Sequence, residues 1–400
     1  MRKNVDIQKS FDLAVVGCGI IGTLAALLAV RKGLNVVLFG PKEGSRPDGA
    51  DSRAYAISPQ ADLLFNICGL NREIDRLSEK ITGMEIFHQQ HMVDLNAREV
   101  ERSYLARIIT HHDLLNVCQE RLSSEEFEHI KVKPNKFEVS QIENEQKAKI
   151  YYGQNSFIFA SLVLGADGLN SWCRYVSGLD WGLKSYHQVA IVATLETPKP
   201  HKGIARQWFT DKGIIAFLPM RDNIISLVWS VKKELADSLI ASKPEEFLKE
   251  LENLTSREST TLRLVSKLSS ASLAMLHTDA CAAERLVLIG DAAHTVHPLA
   301  GFGLNLGIFD ILDLLHNFER FERGIKSGKS FDVGQKRYLS EYERKRRNKV
   351  KFVQIGLDSI NWFFSPTKSS ISVYRKFGML IFSRLNFFKK LAMKIALSRF

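Results

Sequence analysis

The sequence GCGIIG at residues 17–22 decides the fold class, because an apolar run precedes it and a helical pattern follows it. Residues 11–16 (FDLAVV) are short and mostly apolar, which is typical of a buried parallel strand. Residues 23–32 predict a helix that ends before Gly33, and residues 35–39 (NVVLF) predict a second strand. A strand, a glycine turn, a helix and a strand in this order predict a βαβ unit that binds a nucleotide.

The three glycines of this turn each have a physical role in binding a pyrophosphate. Gly17 permits the tight turn, Gly19 lets the backbone approach the phosphates, and Gly22 lets the helix pack closely on the strand. The N terminus of the helix adds unpaired N–H groups and a partial positive charge. A glycine turn in an α/β domain that binds no nucleotide is the alternative, and the strand–helix–strand context favours binding.

The end of the second strand departs from the usual dinucleotide-binding pattern. An acidic residue there normally binds the adenosine ribose, whereas this chain has Gly40 and Pro41. Glu43 is the nearest carboxylate, and we expect it to substitute from the following loop. The departure leaves the choice between a flavin and a nicotinamide nucleotide to the rest of the chain.

Length and composition indicate a folded protein with a large core. The chain has 400 residues, of which 45% are apolar, and its length suggests about two or three domains. Its 25% charged and 10% aromatic residues exclude a disordered, collagen-like or disulfide-scaffold protein. The cysteines are scattered and form no CxxC pair, which indicates a reducing compartment and argues against a structural zinc site. They are Cys18, Cys68, Cys118, Cys173 and Cys281.

The positive charge of the chain is concentrated at its C-terminal end. The net charge is +11, from 55 Lys and Arg against 44 Asp and Glu. Residues 341–400 hold 14 basic and 3 acidic residues, so the first 340 residues are balanced at 41 of each. A nucleic-acid enzyme is expected to spread basic groups around its binding cleft, so we expect no nucleic-acid partner. A neutral body with a basic tail is typical of a protein that touches an acidic surface at one end.

One uncharged stretch, residues 14–30, resembles a membrane span or the apolar part of a signal peptide. It is shorter than the roughly 20 residues that a span needs, and three glycines interrupt it. The N-terminal residues contain basic side chains but no A-x-A cleavage motif. We therefore expect neither a transmembrane helix nor a signal peptide.

Two further apolar runs end in glycine motifs. Residues 162–164 lead into GADG at 165–168, and residues 285–289 lead into GDAAH at 290–294. Because parallel strands open into a crevice at their carboxyl ends, we expect the three motifs to meet at one edge of a sheet. The other predicted elements are a helix at 111–122, short strands at 130–132, 137–142, 149–152 and 157–159, an antiparallel substrate sheet at 185–232 with strands at 189–195, 213–218 and 224–231, and a helix at 304–321.

Together the three motifs resemble those of the flavoprotein aromatic hydroxylases, the class A monooxygenases with the para-hydroxybenzoate hydroxylase fold. They read GCGIIG from residue 17, GADGLNSWCR from 165 and GDAAHTVHPLAGFGLNLG from 290. Within this group the chain is similar to the flavin hydroxylases of ubiquinone biosynthesis. That finer resemblance rests on DSRAYAIS at 51–58, RQWFTDKGIIAFLPM at 206–220, PLAGFGLNLGIFD at 298–310 and the closing segment 362–396.

The resemblance implies an α/β fold, in which a Rossmann-like FAD-binding domain with a parallel sheet is interleaved with an antiparallel-sheet substrate domain and followed by C-terminal helices. Three separate segments then form the FAD-binding part. The implied division is 1–82 for its first part, 83–182 for a mixed second part with the DG motif at 165–174, 183–283 for the substrate sheet, 284–325 for the third part with the GD motif, and 326–400 for the basic, aromatic helices.

The resemblance also assigns cofactor-binding roles to the first two motifs. Gly17, Gly19 and Gly22 would bind the FAD pyrophosphate, and the guanidinium group of Arg53 would bind phosphate oxygens beside the flavin. Arg53 as an ordinary surface side chain is the alternative. Asp167 and Gly168 match the motif to which FAD and NAD(P)H contacts are credited, and a turn-capping role for Asp167 is the alternative.

The third motif would bind the flavin itself. Asp291 would accept a hydrogen bond from the ribityl chain, and a helix cap is its alternative role. Gly303, Leu304 and Asn305 would begin a helix whose N terminus stabilises negative charge at the pyrimidine end of the flavin. Phe302 replaces the family's usual Gln and leaves the contacts of this turn open. Pro298, just before it, would lie over the flavin edge.

We predict no metal site and no catalytic acid or base. Three close pairs of histidines, at 88 and 91, 111 and 112, and 294 and 297, have no matching set of carboxylate ligands, and His294 is expected to orient the backbone of the GDAAH motif. No GxSxG elbow is present to support a nucleophilic serine. In the family that the chain resembles, the flavin performs the chemistry, and the protein contributes position, electrostatics and the exclusion of water.

The reaction that the resemblance implies is a mono-oxygenation of an aromatic ring by a flavin C4a-hydroperoxide. NAD(P)H would reduce the flavin while docked transiently, since the chain contains only one GxGxxG motif. The implied substrate is a lipid-soluble prenylated phenol or methoxyphenol on the route to ubiquinone. Two alternatives stay open, namely a flavin oxidoreductase of the same fold with another substrate, such as an aromatic-catabolism hydroxylase or a prenyl reductase, and a non-catalytic scaffold of the biosynthetic complex.

The basic tail suits a substrate that resides in a bilayer. Aromatic residues between 362 and 388 alternate with Lys and Arg, a pattern typical of contact with anionic headgroups. We therefore expect a cytoplasmic protein that associates peripherally with the inner face of the membrane, or with other ubiquinone-biosynthesis proteins, through this region. Packing of the same aromatic residues under the flavin domain, with solvated lysines, is the alternative.

Overall fold

A computed structural model of the protein describes residues 9–40, 53–131, 139–144, 147–152, 156–255, 262–297, 301–328 and 331–364. Glu43, Pro298 and most of the aromatic tail, from residue 365 onward, lie outside these ranges. The predicted strand positions at 132, 137 and 138 lie outside them as well.

The described chain folds into three sheets and a set of helices. In chain order the strands are β1 (Ser10–Val16), β2 (Val36–Gly40), β3 (Ala54–Ile57), β4 (Glu79–Ile81), β5 (Gly83–His88), β6 (His91–Asn96), β7 (Ala106–Thr110), β8 (Glu128–Lys131), β9 (Val139–Asn144), β10 (Ala148–Tyr152), β11 (Ser156–Gly165), β12 (Trp181–Glu196), β13 (Ile204–Thr210), β14 (Gly213–Pro219), β15 (Ile224–Lys232), β16 (Arg263–Leu264), β17 (Ser269–Thr278), β18 (Ala282–Ala283) and β19 (Leu286–Leu288). The helices are α1 (Ile20–Arg31), α2 (Ala61–Cys68), α3 (Asn71–Leu77), α4 (His111–Ser123), α5 (Trp172–Val176), α6 (Lys233–Ala241), α7 (Pro244–Leu254), α8 (Phe302–Lys326) and α9 (Lys336–Phe364), with short 3₁₀ turns at Ala97–Val100 and Gly290–Ala292.

The first sheet is built on parallel strands in the order β18-β19-β11-β1-β2-β8, with β10 and β9 added through β11. Its central strands are buried on both faces, which is why their sequences are apolar runs rather than alternating patterns. In the register, Val16 of β1 pairs with Gly165 of β11 and with Phe39 of β2, and Gly165 pairs with Leu288 of β19. The three glycine motifs therefore leave the sheet at one edge, as predicted.

Helix α1 begins earlier than the sequence pattern indicates. It starts at Ile20, inside the glycine motif, because Gly19 takes an extended conformation and serves as its N-cap. Nine of its twelve residues are buried, and it packs against α2, α4 and α8 as well as the sheet. An apolar helix in this position carries the phosphate-binding turn on a rigid support.

The second sheet has the order β16-β12-β15-β14-β13-β5-β6, with β17 paired to β12. The prediction of an antiparallel sheet at residues 185–232 was incomplete in two respects. Strand β13 was missed because three consecutive residues, Gln207 to Phe209, are buried and hide the alternation of faces. Strands β5 and β6 come from an earlier part of the chain, and β5 pairs with β13 in parallel. The division of the chain into five segments stays a prediction.

The two faces of the second sheet have different environments. The outer face packs against α6 and α7 through large side chains such as Trp229 and Phe247, whose rings lie 5.8 Å apart. The inner face meets α8 and α9 through one apolar cluster and the small sheet of β3, β7 and β4 through another. The inner face of the second sheet is thus turned toward the elements that carry the cofactor motifs.

Two long helices close the described chain. Helix α8 extends from Phe302 to Lys326, beyond the predicted 304–321, since Gly301 in the left-handed region (φ 67°) starts it early. Helix α9 has 29 residues and packs on α8. Within the described ranges, no helix is both long enough and apolar enough to cross a membrane.

Candidate active site

The glycine turn after β1 is held by contacts that allow no side chain at two of its three glycines. Gly17 has φ 115°, and a Cβ atom there would overlap the carbonyl oxygen of Ala166 in the neighbouring motif. A Cβ atom at Gly22 would overlap the carbonyl oxygen of Gly17. These glycines bring the first and second motifs into backbone contact, as the dinucleotide-binding pattern requires.

Gly19 has a different role, because a Cβ atom there would meet no atom within 4 Å. It opens toward free space at the N terminus of α1, where no side chain caps the helix and no acidic residue occupies the first turn. Unpaired N–H groups in an open, uncapped turn are complementary to a phosphate. The residues present therefore fit the pyrophosphate of a dinucleotide.

Cys18 explains why the second strand ends in glycine rather than in an acid. A Cβ atom at Gly40 would overlap the Cys18 Sγ atom, so this close approach leaves no room for a side chain at the end of β2. Cys18 Sγ lies 3.6 Å from Nε2 of His129 on the adjacent strand β8. The Cys18 side chain, from the glycine turn itself, thus occupies the space where the ribose-binding acid would usually lie.

Asp291 and Arg53 lie close enough to interact at the same edge of the first sheet. The Asp291 side chain is exposed and makes no hydrogen bond to any described residue, so the alternative role of a helix cap is not observed. Although Asp291 is accessible to solvent, the protein atoms packed around its carboxyl group partly desolvate it and raise its pKa, while the charges of His294 and Arg53 act to lower it. An accessible carboxylate that makes no hydrogen bond to a described residue is suited to accept hydroxyl hydrogen bonds from a ligand.

Asp167 is found in its alternative, structural role. One carboxylate oxygen accepts a 2.5 Å hydrogen bond from Ser171 Oγ, and the other accepts a 3.0 Å bond from the N–H of Cys173. These bonds hold the start of α5. Gly168 has φ 79°, with no atom within 4 Å of a Cβ position. Contacts of these two residues with a cofactor stay a prediction.

The start of α8 is tied to β3 by the side chain of Asn305. Its Oδ1 accepts a hydrogen bond from the N–H of Ser58 at 2.8 Å, and its Nδ2 donates to the carbonyls of Ala56 at 2.8 Å and Gly301 at 2.9 Å. Both N–H groups of the Asn305 amide and its oxygen are thereby hydrogen-bonded within the protein. The helix N terminus has no side-chain cap, and Gly303 faces open space. Its backbone N–H groups, rather than the Asn305 amide, are therefore available to a ligand.

Leu304 lies beside Gly303 and is partly buried against the main core. It anchors the first turn of α8. Ile21 of α1 approaches both Gly290 and Gly307, where a Cβ atom would come within 3.3 Å and 2.7 Å of it. The GCGIIG turn, the GDAAH turn and the start of α8 therefore converge around one side chain.

A buried ionic network behind the GDAAH turn was not predicted from the sequence. Asp310 of α8 accepts 2.8 Å hydrogen bonds from the N–H of Gly290 and from Nε2 of His294. Its other oxygen lies 2.6 Å from Nε of Arg346 on α9, and Arg346 donates to the carbonyl of Leu306 at 3.1 Å. Burial acts to raise the pKa of Asp310, but the charges of Arg346 and His294 reverse the effect and lower it. The His294 ring reaches the GDAAH turn through this shared carboxylate, and its role in orienting the backbone of the motif stays a prediction.

His297 lies at the end of the same loop and is buried as a neutral ring. Burial lowers its pKa to about 4, and the more distant charge of Asp358 acts in the opposite direction. Nε2 lies 2.9 Å from the Gln188 side-chain oxygen and donates to it, while the ring packs edge-on against Tyr186 at 5.1 Å. This ring fixes the position of the loop that leads toward residue 298.

The inner face of the second sheet is uncharged at its centre. By strand alternation this face consists of Ala190, Val192 and Thr194 on β12, Ala205, Gln207 and Phe209 on β13, Ile214, Ala216 and Leu218 on β14, and Ser226, Val228 and Ser230 on β15. Ala216, Leu218 and Val228 are partly exposed, whereas their outer-face neighbours Ile215, Leu227 and Trp229 are fully buried. The inner face therefore borders an accessible space opposite the cofactor motifs.

Comparisons with known proteins agree with this geometry. A family model described as an FAD binding domain matches residues 10–353. Ubiquinone hydroxylase UbiL of Rhodospirillum rubrum is 28% identical over 396 residues, covering 98% of this chain and 90% of that protein. Ubiquinone biosynthesis monooxygenase COQ6 of Caenorhabditis elegans is 27% identical over 428 residues, covering 94% and 93% of the two chains.

Solved structures support the same fold. The p-nitrophenol 4-monooxygenase PnpA of Pseudomonas putida superposes with a TM-score of 0.75 at 17% identity and covers 98% of this chain and 100% of that one. PqsL of Pseudomonas aeruginosa, whose structure is described as that of "a probable FAD-dependent monooxygenase", superposes with a TM-score of 0.74 at 19% identity, covering 93% of this chain and 100% of that one. The predicted fold class is confirmed.

Substitution of the glycines should separate folding from cofactor binding. Gly22→Ala should lower the free energy of unfolding by about 2 kcal/mol or more, because its Cβ overlaps the Gly17 carbonyl. Gly19→Ala should lower the free energy of unfolding by no more than about 1 kcal/mol, the usual cost of Ala at an N-cap, but weaken FAD binding at least about tenfold, since its Cβ would project into the phosphate space. Gly356→Ala, exposed on α9, is the control: it should leave FAD binding unchanged and raise the free energy of unfolding by about 1 kcal/mol at most, as Ala does in a helix. Urea unfolding and FAD titration measure the two quantities, and equal FAD affinity of Gly19→Ala and wild type would contradict the assignment.

The neutral state of His297 should make the protein sensitive to mild acid. Because its folded pKa of about 4 lies below the ordinary 6.5, the unfolded state binds the extra proton between these values, and stability falls as the pH drops through this window. Between pH 7 and pH 4.5 the wild type should lose about 2–3 kcal/mol more unfolding free energy than His297→Gln. His316→Gln, at an exposed position of α8, should behave as the wild type. Urea titrations at both pH values, at fixed FAD, test this; parallel losses in His297→Gln and wild type would disprove it.

Proposed function

The chain belongs to the FAD-binding-domain family, and from that membership we propose that it is an FAD-dependent monooxygenase that hydroxylates the ring of a polyprenylated phenol or methoxyphenol in ubiquinone biosynthesis. Two relatives that align over almost the whole chain are named for hydroxylation or mono-oxygenation in ubiquinone metabolism. The cofactor-binding residues and the uncharged sheet face are consistent with this activity.

The uncharged inner face of the second sheet favours a neutral substrate over a carboxylate. A hydroxybenzoate brings a carboxylate, which is costly to bury unless a cation or several donors meet it. Among the described residues at the centre of this face there is no Lys, Arg, Asp or Glu. A neutral phenol with an apolar tail can be buried there without an unpaired charge. This favours a prenylated phenol over the substrate of an aromatic-catabolism hydroxylase.

The chain's own residues would hold FAD across the edge of the first sheet. Gly17, Gly19 and the N terminus of α1 would bind the pyrophosphate, and Arg53 would add a cation beside it. Asp291 would accept hydrogen bonds from the ribityl hydroxyls. The N–H groups of Gly303 and Leu304 would stabilise negative charge at the pyrimidine ring.

Bound FAD would supply the oxygen-transfer chemistry, which an electron-rich ring accepts. The protein's contribution is to position the ring and exclude water. The apolar clusters on either side of the inner face, around Phe209 and around Ala205, would keep the space between them dry. No side chain in this arrangement needs to act as a catalytic acid or base.

We assign the reducing role to NAD(P)H, docked transiently. The support is a sequence with a single GxGxxG motif, which the FAD pyrophosphate would occupy. A reductant without a dedicated domain must bind, transfer its hydride and leave.

The substrate would be collected at a membrane surface. A polyprenyl chain keeps the phenol in a bilayer, and residues 341–400 hold 14 of the chain's basic residues. Each basic group near an anionic surface is worth about 1 kcal/mol. The last turns of α9 also expose apolar side chains, with Ile360 42% and Trp362 52% exposed. Peripheral association with the inner face of the membrane, or with neighbouring enzymes of the same biosynthesis, follows as part of the proposal.

Purified full-length protein should contain near-stoichiometric FAD and should transfer one atom of labelled O₂ to a short-chain prenylated ortho-methoxyphenol when NAD(P)H is supplied. Visible absorption and mass spectrometry of the product measure both. Asp291→Ala should lose most of its FAD, while Asp237→Ala, exposed on α6, should retain it. A colourless protein that refuses added FAD would remove the proposal and favour the scaffold, and conversion of a hydroxybenzoate alone would favour an aromatic-catabolism enzyme.

Vesicle binding tests the membrane part of the proposal. Cosedimentation with vesicles containing anionic lipid should fall at least about tenfold when Lys389 and Lys390 are both changed to Glu, because two attractive charges become repulsive. Changing Lys243, the N-cap of α7, and Lys249 within α7 to Glu makes the same charge difference elsewhere and should have little effect. FAD content serves as the check on folding. Equal loss of binding in the two double variants would show that only net charge matters.

A further inference from the structure

Gln207 occupies the centre of the inner face of the second sheet. In β13 the side chains alternate between faces. Ala205 and Phe209, two positions before and after Gln207, belong to the two inner apolar clusters. Trp208 points the other way, stacked on Phe87 at 5.3 Å and edge-on to Phe217 at 4.8 Å. Gln207 therefore points between the two clusters, toward the cofactor-binding side.

The Gln207 amide is buried without a hydrogen-bond partner among the described residues. The residue is only 7% exposed, and neither its Oε1 nor its Nε2 makes a hydrogen bond to a described group. Leaving a buried amide unpaired costs about 1–3 kcal/mol. Its polar atoms are not sealed off, in contrast to Ser226 Oγ on the same face, which is both unpaired and fully enclosed. A polar group of this kind marks the wall of a space in which a partner can bind.

The neighbours of Gln207 leave room for a ring. Across the sheet it pairs with Ala216, which pairs with Val228, which pairs with Val192. These are small side chains in a row, and the first two are partly exposed. The clusters on either side connect to the cofactor elements, one through Leu306 of α8 and the other through Ala54 and Ala56, which follow Arg53. The row thus lies opposite the gap between these elements.

The chemistry of a primary amide selects among rings. Its oxygen accepts a hydrogen bond from a phenol hydroxyl, and its NH₂ group donates to a neighbouring ether or hydroxyl oxygen. One Gln can therefore hold a ring that bears two adjacent oxygen substituents in one orientation. It offers no charge to a carboxylate.

We propose that Gln207 is the specificity-determining residue that binds the oxygen substituents of the substrate ring and sets which ring carbon is presented for hydroxylation. The inference rests on the proposed function and adds to it the residue that orients the ring. It would act by positioning, because an amide neither gives up nor takes a proton at ordinary pH.

The test compares two ring probes in the FAD-loaded, full-length protein. The first is a short-chain prenylated ortho-methoxyphenol, and the second is a prenylbenzene with the same chain and no ring oxygen. Dissociation constants come from the perturbation of flavin absorbance. Gln207→Leu removes both hydrogen bonds at nearly constant size, and it should weaken binding of the methoxyphenol by about 10- to 100-fold while leaving the prenylbenzene within about twofold. It should also release more hydrogen peroxide and a mixture of ring positions among its products.

Two further variants sharpen the comparison. Ser226→Ala removes a polar group on the same face that no ligand can reach, and it should bind both probes as the wild type does. Gln207→Glu retains an acceptor but adds a charge and loses the donor, so its affinity for the methoxyphenol should fall as the pH rises and the carboxyl ionises.

The outcomes separate the inference from the function on which it rests. If wild type binds and hydroxylates the methoxyphenol but Gln207→Leu has the same affinity and the same product, the role of Gln207 is refuted and the function stands. If both probes lose affinity equally in Gln207→Leu, the residue shapes the cavity without binding oxygen, and the inference fails as well. If wild type holds FAD but binds neither probe, the proposed function fails and the inference falls with it. Unchanged FAD content in each variant shows that it has folded.

Discussion

The buried carboxylate of Asp310 holds together the parts of the molecule that meet at the cofactor edge. It binds the N–H of Gly290, the ring of His294 and the guanidinium group of Arg346, which come from the third glycine motif and from α9. An ion pair with both partners about 1% exposed requires several kcal/mol of desolvation per ion, so it persists only with good geometry and further hydrogen bonds. The N–H of Gly290 and the carbonyl of Leu306 supply such bonds. The direction in which Asp291 points depends on this network, because Asp291 follows Gly290 directly.

A second constraint is the close approach of backbones at the ends of β1 and β11. Gly17 and Gly22 permit it by lacking side chains, and Cys18 fills the space next to Gly40. The absence of a ribose-binding acid at the end of β2 is therefore explained by local packing. It is not a sign that the nucleotide site has decayed, since the turn at Gly19 and the N terminus of α1 remain open to a phosphate. The glycine at position 40 therefore gives no support to the alternative of a non-catalytic scaffold.

Much of the nucleotide-binding half could be predicted from the sequence, because its signals are local. A glycine turn between two apolar runs is complete within about 30 residues, and the register of β1 with β11 then follows from parallel pairing. The features that sequence patterns missed depend on pairs far apart in the chain. Asp310 and Arg346 lie on different helices, and nothing near either residue indicates the other. Strand β13 was not predicted because side chains buried on both of its faces remove the alternation of apolar and polar residues that identifies a strand. The isolated position of the Gln207 amide could be recognised only once β5, β13 and β14 had been aligned.

Helix α9 has a mechanical consequence through its length. Twenty-nine residues at 1.5 Å each form a rod of about 44 Å. About one third of the way along α9, Arg346 forms an ion pair with Asp310 of α8. Near the C-terminal end of α9, the Trp362 side chain is exposed. A surface that binds the C-terminal end of α9 would therefore also set the orientation of the rest of the protein, including the space at the inner face of the second sheet. If the substrate reaches the protein from a single plane, a fixed orientation would leave the protein only its rotation about the axis normal to that plane.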